Sequence, residues 1–330
     1  MTAVGALVLI ALSVLLQAGS DGFLSGRLAV GGSLLFSACA FAGTTAVFWT
    51  LARVRGHGPP REPGARRQVI RLTVAMNVAT AVTFLGFYLS LVLVPAALAA
   101  SVMSGVGPLA VALLDLARGR PTTVAGWLRG SVLLAFSVLT ALAMSTEGTR
   151  GTAVSAGALA GGLGLVLLAG FGAAYLATAS RRLGELGGRP VWVMAHRFHL
   201  TYVVAAVLLV LRGGSGTAAG IGPGTAVLVA LAGVVIPLYL LQIGLQRARP
   251  MIAMVLLTTL PGLSYLAQVG FGQPFDPLAC VLVAALIALA VVSARYESSA
   301  PARPRRVRWQ PVPVPAPVSV PFALKQGHHE

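Results

Sequence analysis

Residues Pro95–Pro121, PAALAASVMSGVGPLAVALLDLARGRP, decide the reading of this chain, because the chain contains the pattern twice. The second copy is Arg249–Pro274, RPMIAMVLLTTLPGLSYLAQVGFGQP, and one offset of 153 residues superposes the two without a gap. At that offset Ala100 falls on Ala253, Pro108 on Pro261, Gly119 on Gly272 and Pro121 on Pro274. Three of these four matches are Gly or Pro, which set backbone geometry rather than fill space. The pair reads as an internal repeat.

Composition restricts what such a repeat can belong to. The 330 residues are 57% hydrophobic and 10% charged, with a mean hydropathy of +0.87. A soluble domain carries more than twice that charged fraction. The chain is therefore expected to be all-α and polytopic, since a span takes about 20 apolar residues and lipid leaves the backbone to satisfy its own hydrogen bonds. Barrel strands would alternate polar with apolar residues, and these segments do not.

Ten spans are marked, at about Ala3–Ala18, Leu28–Leu51, Val69–Leu91, Val94–Leu116, Ala125–Met144, Ser155–Ala179, Val191–Leu211, Thr225–Leu245, Met251–Val269 and Pro277–Ala294. The first is short, and a signal peptide is its rival reading. No Lys or Arg precedes its apolar run, which argues against cleavage.

Charge sets the orientation. Of the 24 basic residues, all but Arg27, Arg150 and Arg212 lie on or beside one alternate set of loops. The positive-inside rule then places both termini in the cytoplasm, with an even number of spans and the cytoplasmic membrane as the location. The same asymmetry accounts for the net charge of +16 without nucleic acid, which would want a basic soluble face. Cytoplasmic loops of this kind face anionic headgroups. The stretch Ala52–Gln68, with six Gly and Pro among its arginines, is expected to be the longest connector.

Topology gives the repeat a physical meaning. The offset carries the first span onto the sixth, the third onto the eighth and the fourth onto the ninth. Five spans per half is an odd number, so the halves, residues 1–150 and 151–295, are expected to be inverted relative to one another. Inverted repeats are the architecture of alternating-access carriers.

The polar residues fall into stripes. In the third span Thr73, Asn77, Thr80, Phe84 and Tyr88 recur at steps of three or four, on one helical face. In the eighth, Tyr239, Gln242 and Gln246 do the same. Ser101 and Ser104 in the fourth span and Tyr265 in the ninth complete a candidate substrate cavity of uncharged hydrogen-bonding groups. Pro108 and Pro261 are expected to kink their helices at equivalent depths. His196, Arg197 and His199 open the seventh span. Two readings stand for them: an interfacial cluster snorkelling to headgroups, or proton linkage through His196 and His199. Asp115 is the only acidic residue inside a marked span. Trp49, Trp127 and Trp192 fall where an aromatic belt would anchor. Cys39 and Cys280 read as buried apolar thiols, with neither disulfide nor metal spacing. No cofactor is implied.

The pattern resembles the EamA-like family of the drug/metabolite transporter superfamily. The resemblance is carried by Ala96, Ala97, Ala100, Ser101, Pro108 and Gly119 in one half. Ala253, Pro261, Gly272, Pro274, Asp276 and Pro277 carry it in the other. It implies ten helices in two repeats with a site between them. Arg120 and Gln273 stand where that family's turn has Glu, so the chain departs from the pattern at both turns.

These readings lead to a carrier for a small neutral, zwitterionic or amphipathic metabolite or drug, moved by rocking of the halves. The alternative is a non-transporting assembly subunit that keeps the fold. A membrane enzyme is disfavoured, since no paired carboxylates, HExxH motif or Ser and His arrangement lies at a plausible depth. The thinly polar fifth and tenth spans are expected at the periphery, where they could pair in a homodimer. The tail, residues 296–330, with its basic run and alternating prolines, is expected to be a disordered cytoplasmic arm contacting anionic lipid.

Overall fold

The computed structural model describes residues 3–24, 30–60, 62–90, 93, 96–119, 123–145, 156–213, 223–272, 275 and 277–299. The tail beyond 299, the Arg120 and Gln273 turns and the side chain of Tyr88 lie outside the described residues.

Every element among the described residues is helical. The first six are α1 (Ala3–Leu24), α2 (Val30–Val54), α3 (Pro63–Ser90), α4 (Ala96–Ala117), α5 (Val124–Ser145) and α6 (Ala156–Glu185). The seventh span is divided into α7 (Pro190–His196) and α8 (His199–Leu211). The eighth comprises α9 (Pro223–Ala230), a π-helical turn at Leu231–Val235, and α10 (Ile236–Arg247). The ninth divides into α11 (Pro250–Leu257) and α12 (Leu260–Gly270), and α13 is Pro277–Ser299. Eight of these spans are long and apolar enough to cross a membrane, and Val124–Leu139 and Cys280–Ser293 form two shorter apolar helices. The chain is a multi-pass α-helical membrane protein.

Local sequence accounts for several ends. Arg189 and Arg249 each adopt an extended backbone immediately before a proline that opens a helix, as the steric bulk of proline demands of its predecessor. Gly119 and Gly272, which the repeat aligns, follow α4 and α12 with φ of +68° and +95°. Both positions need the left-handed backbone that glycine adopts without penalty.

The structure corrects four expectations about the elements. The first span reaches Leu24 rather than Ala18, which brings Asp21 into a helix, so Asp115 is not the only acidic residue within a span. The connector expected at Ala52–Gln68 is shorter, because α2 runs to Val54 and α3 starts at Pro63. Its Arg66, Arg67 and Arg71 sit on the first turns of a helix that extends beyond its apolar part. The prolines are not equivalent: α4 continues through Pro108, whereas the ninth span is interrupted at Thr258–Thr259, just before Pro261. There the hydroxyls of Thr258 and Thr259 donate back to Val255 O and Leu256 O at 2.6 and 2.7 Å. Finally, Cys39 is exposed and Cys280 half-buried, because both lie off the faces that pack.

In packing, α1 lies against the eighth and ninth spans, and α6 lies against α3 and α4. The α2 helix packs on α7 and α8, and α4 packs on α11 as well as α5. Between lipid-solvated helices the driving force is close van der Waals approach rather than water exclusion, so small residues mark the contacts. A Cβ added at Gly86 in α3 would stand 3.1 Å from Leu165 O, and one at Gly244 in α10 would stand 3.0 Å from Ala6 O. The outer helix α5 buries Leu133 with Ile252 and Val255 of α11, beside Leu289 of α13. Its Val124, Leu128, Val132 and Leu139 face outward.

Candidate functional site

The site is built on the interruption of the seventh span. Breaking a helix leaves carbonyls and amides without partners, which in a membrane must be satisfied within the protein. Asn77 of α3 does this with one side chain: its Nδ2 donates to His196 O at 3.0 Å, and its Oδ1 accepts from Leu200 N at 2.9 Å. The break is pinned from inside by Phe198, fully buried and stacked on Phe41 at 5.3 Å. Phe84 meets the same Phe41 edge-on at 4.7 Å.

The break turns Arg197 inward. Its side chain is 3% exposed, and its Nη1 donates to Gln242 Oε1 at 2.6 Å. Ser180 Oγ of α6 donates to the same oxygen at 3.4 Å. The guanidinium carbon lies 4.9 Å from the Phe198 ring centroid. Arg197 Nε, Gln242 Nε2 and Thr201 Oγ1 are buried without a hydrogen-bond partner. Ion pairs join Arg181 and Arg182 to Glu185, and among the described residues no carboxylate pairs with Arg197. The snorkelling reading of this arginine is thereby corrected: its side chain is buried within the bundle.

The other expected residues take varied places. Thr80 Oγ1 donates to Met76 O within its own helix at 2.6 Å. Ser101 and Ser104 are buried on α4. Tyr239 is half-buried against Phe48, with centroids 5.0 Å apart, and Tyr265 is half-buried on α12. His196 stacks on Trp192 at 4.7 Å with its Nδ1 2.8 Å from Trp192 O. His199 Nδ1 lies 3.1 Å from the Tyr202 hydroxyl. The structure therefore brings the α3 stripe and the α10 stripe to the same place, the broken seventh span, with Asn77 on its backbone and Gln242 on its arginine.

A second group, absent from the expected site, lies on α1. Ser13 Oγ donates to Pro237 O at 2.7 Å, and Gln17 Nε2 donates to Ser13 Oγ at 2.9 Å. Asp21 continues that line one turn on, with Ser264 Oγ 3.5 Å from its Oδ2. It lies on the helical side of the buried Ile10 and Val14, opposite the outward Val4, Val8, Leu12 and Leu15, yet it is itself exposed. The spacing Ser13, Gln17, Asp21 was the sequence signal. For Arg197 the signal was a cation seven residues past the Pro190 that opens the span.

No protein-family model matches the chain, and no curated protein matches it. A solved structure described only as "Crystal structure of protein" shares 20% identity with it and superposes with a TM-score of 0.68. The match covers 91% of this chain and all of that one. At that identity the likeness establishes a shared fold.

Proposed function

We propose that the chain is a secondary transporter that moves a small organic solute across the cytoplasmic membrane by alternating access, a divergent EamA-like carrier. The observation that carries the reading is the interruption of the seventh span around buried Arg197 and Gln242, clamped by Asn77. Irregular backbone at membrane depth is tolerated where it is enclosed in protein or lines a wet cavity, and broken helices hold the substrate sites of many carriers. The π-helical turn of the eighth span and the break in the ninth add two more interruptions, of a kind that accompanies functional sites.

Reciprocal packing supports the division into two inverted five-span halves. The first span of each half lies against the third and fourth of the other: α1 against the eighth and ninth, α6 against α3 and α4. The second spans of the two halves face each other as α2 with α7 and α8. An exchange of halves leaves this pattern unchanged. Arg53, Arg181 and Arg247, at the ends of α2, α6 and α10, then mark the cytoplasmic side, and Asp21 lies toward the other.

The test is transport by purified protein in liposomes against a panel of neutral, zwitterionic and acidic metabolites. Saturable movement of at least one solute, reduced in Gln242→Leu, is expected. A fully folded protein that moves none of them overturns the reading and leaves the assembly-subunit alternative.

A further inference from the structure

We propose that Arg197, with Gln242, is a seat for the carboxylate of the transported solute, so that the substrate is a small organic acid or zwitterion rather than a neutral molecule. This rests on the carrier reading and narrows it.

A guanidinium presents five N–H donors in a planar fork that matches a carboxylate in bidentate fashion. In Arg197 Nη1 is engaged by Gln242 Oε1, while Nε, in the same 3%-exposed side chain, has no partner. Gln242, fully buried, places its oxygen toward the guanidinium and leaves its Nε2 donor unpartnered. Thr201, four residues on and past the interruption, is 2% exposed and carries a hydroxyl that is also unpartnered. Two buried polar atoms, on side chains joined to each other by a hydrogen bond, thus lack partners at one cation.

An arginine kept only for packing would be expected to meet a carboxylate or several carbonyls, because an ion withdrawn from water without compensation is among the costliest features a membrane protein can hold. Among the described residues no carboxylate pairs with Arg197. The missing counter-charge is the one a ligand would supply. Phe198, its ring centroid 4.9 Å from the guanidinium carbon, would lie beside the organic part, which favours an aromatic or apolar acid.

The test compares acids with their uncharged amides: benzoate with benzamide, phenylacetate with phenylacetamide, and an aromatic α-amino acid with its amide. Binding is read as thermal stabilisation of detergent-purified protein. Each acid is expected to bind about tenfold or more tighter than its amide, the difference a charge-assisted hydrogen-bond pair makes. Arg197→Gln should abolish the difference. Gln242→Glu supplies an internal counter-charge at almost no change in shape. It should raise the melting temperature without ligand and remove the response to acids, an outcome that misfolding cannot imitate. Equal binding of acid and amide, no response to any acid, or an unchanged acid response in Gln242→Glu each overturn the proposal. If neutral solutes are nonetheless transported, the carrier reading stands and only the carboxylate seat falls.

Discussion

Asn77 holds the broken seventh span through two hydrogen bonds to backbone, and a single substitution removes both. Asn77→Leu is expected to destabilise the protein by about 1–3 kcal/mol, the cost of leaving the backbone groups of a helix break unpaired, read as a lower melting temperature in detergent. Asn77→Asp, which keeps the acceptor for Leu200 N and loses the donor to His196 O, should fall between the two. Ser13→Ala removes the bond to Pro237 O and should cost about 1 kcal/mol by the same measurement. The α3 stripe was legible as periodicity, but its partner was not. Spacing states which side chains share a face, whereas what that face meets depends on an element more than a hundred residues away.

Among elements, α6 is held on several sides, meeting α3, α4, α10 and α11. Gly184 admits α10 so closely that an added Cβ would overlap Gln246 O, a backbone atom with no rotamer to yield. Gly184→Ala is expected to cost about 1–3 kcal/mol through overpacking. On the same helix Gly164 faces open space, with nothing within 4 Å of an added Cβ. Gly164→Ala should be neutral or slightly stabilising, since alanine is the better helix former by about 1 kcal/mol. The pair, compared by thermal denaturation, separates helix propensity from packing. If both behave alike, the α6 and α10 contact is not as close as described. The helices themselves could be read from hydropathy. The break in the ninth span was signalled by Pro261, which has no N–H for the preceding turn, whereas Arg197–Phe198 contain no residue that forbids a helix, and that break is held by Asn77 and Phe41.

For the whole molecule, orientation is the property to measure. In a background of Cys39→Ser and Cys280→Ser, a cysteine in place of Arg212 should react with an impermeant maleimide on intact cells, and one in place of Arg55 only after permeabilisation. Labelling of both from the same side would overturn the odd number of spans between them and the inverted halves with it. The sequence by itself determined that the chain is all-α and spans a membrane many times, since composition and run length alone exclude a soluble fold. It determined as well where helices end at Gly119 and Gly272, because the left-handed backbone there is a local demand. What only tertiary structure decided is the site. Arg197 sits next to Gln242 and Ser180 through packing between spans distant in the chain. Burial and pairing are properties of neighbours, and local pattern cannot name them.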